Sequence, residues 1–92
     1  MEKQEILDLV RHNQRLYIER EEGQMRGIKH PRNPYMVYYP IDAIQGKCED
    51  GKWRPMVLYV SKSQERYLRR ADNFEKFEVV YVQWSNNGLA YR

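Results

Sequence analysis

Residues 48–60 read Cys48-Glu49-Asp50-Gly51-Lys52-Trp53-Arg54-Pro55-Met56-Val57-Leu58-Tyr59-Val60. Asp-Gly between two β-prone runs is a strong hairpin signal, because a type I′ turn needs positive φ at both central positions. The arms run from Ile41 to Glu49 and from Lys52 to Val60. Met56 to Val60 is almost continuously apolar, the pattern of a strand covered on both faces. Pro55 has no N–H to give a ladder, so it is expected at a bulge, an edge or an unpaired side, near Gly46 of the other arm.

Working outward, Tyr35-Met36-Val37-Tyr38-Tyr39 between Pro34 and Pro40 reads as a further strand. Phe77 to Trp84 reads as another, followed by a turn at Asn86-Asn87-Gly88 and a short return at Leu89-Ala90-Tyr91. After Val60 the signals conflict. Ser61 with Gln64 resembles a capping box, with Ser63 as a rival cap, and Tyr67, Leu68, Ala71 and Phe74 then share a helical face. A short helix or turn is therefore expected at 63–73. Residues 23–34 hold Gly23, Gly27, Pro31 and Pro34 around Arg26, Lys29 and Arg32, which reads as a basic loop. Residues 1–22 read as a helix, with Ile6, Leu9, Val10, Leu16 and Tyr17 at steps of three and four. Asn13 interrupts that stripe, and the chain could bend or stop there, leaving 16–20 as a strand instead.

The 92 residues, 41% apolar and 32% charged, suffice for one domain with one modest core. The expected fold is α+β: an N-terminal helix on a curved antiparallel sheet of four or five strands, as an SH3-like or OB-like partly open barrel. The longest apolar runs are far too short for a membrane span, and no signal peptide is visible, so a cytoplasmic setting is expected. One cysteine, Cys48, fits the same setting. It sits beside Glu49 and Asp50, an acidic neighbourhood that suits a structural thiol more than a reactive one.

Charge is uneven. Residues 1–22 carry six acids against four bases, and the remainder twelve bases against seven acids, for a net +3. A basic body with an acidic helix suggests an acidic protein surface or a polyanion as partner, or the helix of a second copy in a weak homodimer. Arg66, Arg69 and Arg70, extended by Lys62, would line one side of a helix at 63–73 and clamp phosphates or carboxylates. The competing reading is a solvated face neutralised by Glu65 and Glu75, and an extended segment would point Arg69 and Arg70 to opposite sides.

Aromatic residues make up 13% of the chain. About two thirds are expected in the core, with Tyr38, Tyr59 and Tyr81 packing hydroxyl-outward. Trp53, between Lys52 and Arg54 at the hairpin rim, is the leading candidate for an exposed stacking ring, with Tyr67 and Trp84 behind it. Enzyme motifs are missing: there is no glycine-rich phosphate loop, no metal-ligand spacing and no nucleophile turn. No cofactor or metal is expected. His12 and His30 read as solvated surface residues, and a ribonuclease-like set of His30, Arg54 and Tyr59 has no more support than chance.

Met56-Val57-Leu58-Tyr59, Tyr67-Leu68-Arg69-Arg70 and Phe74-Glu75-Lys76-Phe77 together resemble an uncharacterised family of short bacterial proteins. That family has a V-V-Y strand, a short turn, an aromatic-V-R-P segment and M-F before a final strand. The resemblance implies a small SH3-like β-barrel with a strand at Tyr67–Arg70, and it implies no activity. Arg70 stands where the family has proline, and residues 1–34 have no counterpart in it.

The function expected from these readings is a non-catalytic binding or adaptor module for an acidic protein surface, of the kind found in phage or bacterial accessory proteins. Trp53, Arg54, Lys62, Arg66, Tyr67, Arg69 and Arg70 are its expected contacts. Single-stranded nucleic-acid binding through the same aromatics and arginines is the alternative, and a small nuclease the second alternative.

Overall fold

The computed structural model describes residues 1–18 and 23–84. Helix α1 (Lys3–Ile18) is followed by β1 (Gly23–His30), β2 (Asn33–Lys47), β3 (Trp53–Ser61), β4 (Arg66–Arg70) and β5 (Glu78–Trp84). The five strands form one antiparallel sheet in the order β4-β3-β2-β1-β5. The α+β architecture of one helix on a five-stranded antiparallel sheet is thus present, and the sheet does not close.

Its curvature follows from chain length. Strands β4 and β5 lie at opposite edges, yet only residues 71–77 join them. Five flat strands at about 4.8 Å spacing would put those edges about 19 Å apart, and eight fully extended steps reach only about 26 Å. This link is not extended. Asn73 N–H bonds Arg70 O and Phe77 N–H bonds Phe74 O, two turns that shorten it. The sheet must curl to bring its edges within reach. The link also fills the space it crosses, because Ala71, Phe74 and Phe77 are buried with Ile6, Leu9, Val10, Ile28, Val57 and Tyr59.

Helix α1 runs through Asn13 without a break. At its start Glu5 accepts from Glu2 N–H, half of a capping box. Ile6, Leu9, Val10, Asn13 and Leu16 form the buried stripe. Asn13 sits there because β1 and β2 separate: they pair only at Ile28–Tyr38 and His30–Asn33. Beyond that point the Asn13 side chain takes the place of a ladder. Its Nδ2 donates to Arg26 O and Pro40 O, both at 2.8 Å, and its Oδ1 accepts from Arg26 N–H at 2.9 Å. The neighbouring residues add ties, His12 Nε2 to Gln24 O and Gln14 to Asp42. Asparagine favours helix ends in isolation, but here the strands supply the partners that a helix interior lacks. The helix expected over residues 1–22 is seen as far as Ile18, and 19–22 lie outside the described residues, as do the turn at 86–88 and the return at 89–91.

Three local expectations are corrected. Residues 23–30 are not a loop but β1, held between β2 and β5. Their glycines and charges read as loop, but Gly27 is there for space: a Cβ would come within 2.6 Å of Val37 and 3.2 Å of Val80. Only 31–32 turn, with Pro31 presetting the bend between His30 and its partner Asn33.

The Asp50-Gly51 hairpin forms with a different turn. Cys48 N–H bonds Lys52 O, Gly51 N–H bonds Cys48 O, and only Gly51 has positive φ, at 81°. This is a three-residue loop ending in a left-handed residue. Within the hairpin, Pro55 pairs with Gln45, beside Gly46. Its carbonyl accepts from Ala71 N–H, so its missing N–H also faces the β4 side, just past the end of that strand.

The helix or turn expected at 63–73 is replaced by β4, which the 61–65 segment prepares with the same loop geometry. Ser61 N–H bonds Glu65 O, Gln64 N–H bonds Ser61 O, and Gln64 takes the left-handed position at φ 71°. The buried Ser61 hydroxyl accepts Glu65 N–H, so the side chain read as a helix cap closes a turn instead. Without a glycine, the turn carries no sequence signal.

Two stability outcomes follow. Asn13→Ala should cost about 3 kcal/mol or more in urea unfolding, since it leaves the buried Pro40 carbonyl and the part-buried Arg26 N–H and C=O unpaired. Asn13→Asp should cost a similar amount despite its shape, because a carboxylate donates to neither carbonyl; a loss under about 1 kcal/mol for either would contradict the role given to Asn13. At the matched turn positions the signs should be opposite: Gln64→Gly stabilises by about 0.5–1 kcal/mol and Gly51→Ala destabilises by about 1, read from the same unfolding curves.

Candidate functional site

The curl of the sheet leaves a cleft of about 550 Å³ between the β1–β2 turn, the inner faces of β3 and β4, and the link 71–77. Directly paired strand residues share a face, so Tyr59 on β3 and Tyr67 on β4 stand side by side. Their rings stack at 5.4 Å, and Tyr38 meets both edge-on at 5.5 Å. Phe77 completes the wall, with His30 edge-on to it at 5.0 Å. Each such pair adds about 0.5–1.5 kcal/mol beyond area burial, so the rings of the wall brace one another. Tyr67 donates its hydroxyl to Glu65, and desolvation, then that bond, pushes its pKa up, so the phenol stays neutral.

Positive charge gathers at the rim. The Arg69 guanidinium lies over Phe77, 4.9 Å from the ring centroid, and donates to Asn73 O. That stacking fixes the head group while leaving other N–H donors for the cleft. Arg32 and Lys76 stand on the turn and the link, and among the described residues neither has a carboxylate partner. His30 Nδ1 accepts Arg32 N–H, so this histidine shapes the turn that presents Arg32. Glu75 is the one acid of the lining.

The arginines expected to act together are separated. On β4, Tyr67 and Arg69 point into the cleft while Arg66, Leu68 and Arg70 occupy the other face, as strand alternation requires. Arg70 is bidentate to Asp72, and Arg54 is bidentate to Asp50 at 2.7 and 2.6 Å. These two line a second hollow of about 570 Å³ at the 48–52 loop, already paired with their own acids. Lys62 is exposed in the β3–β4 turn and Trp53, 65% exposed, opens β3 opposite Lys47; neither reaches the cleft. Of the seven expected contacts, the cleft holds Tyr67 and Arg69. His30, Arg32, Tyr38 and Lys76 were not singled out as one site, because only the curl of the sheet brings them together.

Other expectations also change. Tyr81 is 63% exposed rather than packed, since on edge strand β5 its ring has a neighbouring strand on one side alone. Tyr35 is exposed as well, and the Trp84 side chain lies outside the described residues. Neither histidine is merely solvated, since His12 bonds the β1 backbone and His30 packs on Phe77. His30 and Tyr59 line the cleft but Arg54 does not, so the ribonuclease-like set is not assembled. Cys48 is half-buried with its thiol aimed at Gly46 O. Among the described residues no group of three His, Cys, Asp or Glu is placed to hold a metal, and no helix is long and apolar enough to cross a membrane.

No family model, curated protein or solved structure matches the chain.

The paired carboxyls give a pH dependence. The hydrogen-bonded Arg54 holds Asp50 far below the ordinary carboxylate range, and Arg70 likewise lowers Asp72. Both groups keep their charge to lower pH folded than unfolded. Their contribution is therefore complete above the ordinary carboxylate range and lost as pH falls below it. From about pH 5 to pH 2 the melting temperature of Asp50→Asn/Asp72→Asn should fall less steeply than that of the wild type. Parallel slopes would show that the two pairs add nothing.

Proposed function

We propose that this protein is a non-catalytic binding module that takes an acidic segment of a partner protein into the cleft of a partly open, SH3-like barrel. The observation that carries the reading is the pairing of a preformed tyrosine wall with a cationic rim at Arg32, Arg69 and Lys76. Aromatic-lined grooves with a few fixed charges suit extended peptides, whose side chains and carbonyls meet the rings and hydroxyls. The resemblance of the central strands to short SH3-like barrel proteins agrees with this frame.

The cleft supports a peptide better than a string of bases. Base stacking needs open ring faces, and here Tyr59 covers one face of Tyr67 while Tyr38 covers its edge. The more exposed rings, Tyr35, Trp53 and Tyr81, lie outside the cleft and form no platform with it. Two of the arginines that phosphates would need, Arg54 and Arg70, are already paired bidentately with Asp50 and Asp72. The exposed outer-face arginine and lysine, Arg66 and Lys62, stand apart from the rings.

Fluorescence anisotropy with a labelled nine-residue peptide of alternating valine and glutamate, against a labelled twelve-nucleotide thymidine strand, tests the reading. The peptide should bind at low salt, weaken as salt rises, and lose about five-fold in affinity for each of Arg32→Ala and Arg69→Ala. Tighter binding of the thymidine strand, weakened by the same substitutions, would replace the peptide reading with a nucleic-acid one. Binding of neither probe would remove the cleft as a site for either.

A further inference from the structure

The ladder between β3 and β4 fixes which way the β4 backbone faces. Ser61 bonds Glu65 at one end and Pro55 bonds Ala71 at the other, with Tyr59–Tyr67 and Val57–Arg69 in phase between them. Tyr67 and Arg69 therefore turn their N–H and C=O groups toward β3. Arg66, Leu68 and Arg70 turn theirs outward, and β4 is the last strand on that side. Of the outward groups, the Arg70 carbonyl is taken by Asn73. Among the described residues the N–H and C=O of Leu68 and Arg66 have no strand beside them.

The side chains beside that edge differ by face. Toward the cleft stand Tyr67 and Arg69. On the outer face Leu68 pairs with Leu58, and Ile44 pairs with Met56 one row along. Leu68 and Ile44 are 52% and 48% exposed and Leu58 and Met56 half-buried, so the four make an apolar stripe partly open to solvent.

From these facts we infer that β4 is a docking rail: an extended partner segment that alternates apolar and acidic residues adds to it as a sixth strand. Its acidic side chains point inward to Arg69, Arg32 and Lys76, and its apolar side chains lie on Leu68 and the stripe beyond. This rests on the acidic-peptide reading of the cleft and specifies how such a peptide is held. Main-chain bonds to an exposed edge give such a complex its affinity, and alternate side chains give its specificity.

Charge selects the occupant. A second copy of β4 paired antiparallel about Leu68 would set Arg66 of one copy against Arg70 of the other, twice. Like charges directly opposite destabilise a strand pair, and cationic edges are a recognised guard against self-pairing. Arg70 is partnered by Asp72, so Arg66 carries this selection on the outer face, while Arg69, Arg32 and Lys76 draw the partner's acidic side chains on the cleft face.

Amide hydrogen exchange of the full chain with the alternating valine–glutamate peptide tests the rail. Saturating peptide should slow exchange at Arg66 and Leu68 by at least ten-fold, and a peptide N-methylated at alternate amides on its pairing edge should bind at least ten-fold more weakly. Leu68→Pro removes an outward N–H and no bond to β3, so it should still fold cooperatively while weakening the peptide at least ten-fold, and Leu68→Ala, which trims the same side chain but keeps the N–H, should weaken it less. Peptide binding that leaves the Arg66 and Leu68 amides unprotected, with N-methylation harmless, overturns the rail and leaves the cleft reading standing. Failure of the unmodified peptide to bind at all overturns both.

Discussion

One buried amide holds this fold open in the right place. Where β1 and β2 part, one buried and two part-buried backbone groups would lose their ladder partners, and Asn13 meets all of them from a helix. The cost of leaving such groups unpaired exceeds what a leucine at this position could recover through apolar burial. The apolar residues on either side of Asn13 belong to different clusters, Ile6, Leu9 and Val10 to one and Leu16, with Met25, Tyr39 and Val60, to the other. The helix is thus not laid on a finished sheet. It is wedged at the split between two strands, and the split lets β1 leave β2 and follow β5 along its whole length.

What could be read from sequence was whatever left a local mark. The helical stripe, the apolar run of β3 and the hairpin around Gly51 each carry a periodicity or a turn residue of their own. Strand β1 carries neither: its Met25, Gly27 and Ile28 make sense only once β2 and β5 flank it. Strand β4 was hidden for a sharper reason. Tyr67, Leu68, Ala71 and Phe74 satisfy a helical spacing by accident of a strand followed by turns, and Gln64 occupies a position where glycine would have announced the hairpin. The two β-hairpin loops flanking β3 share one geometry, and only one of them shows it in its residues.

The candidate site follows the same division. Tyr67 and Arg69 were singled out from the sequence, but the residues that share their cleft were not, because His30, Arg32 and Lys76 arrive from a turn and a link that sequence spacing keeps apart. Extended geometry also reassigns the arginines: Arg69 rests on an aromatic ring, while Arg54 and Arg70 serve nearby aspartates. Ten arginines in 92 residues therefore say less about polyanions than they first suggest.

The link between β4 and β5 gives the cleft a ruler. Because residues 71–77 tie the two edges of one sheet, the width of the opening is set by how many residues the link contains and how tightly its two turns fold. Phe74 and Phe77, anchored in the core, keep that length from being taken up as slack. Substitutions at the rim would change what the cleft prefers, whereas an insertion or deletion in the link would change what fits. Size is written in chain length and preference in side chains, so the two can vary independently.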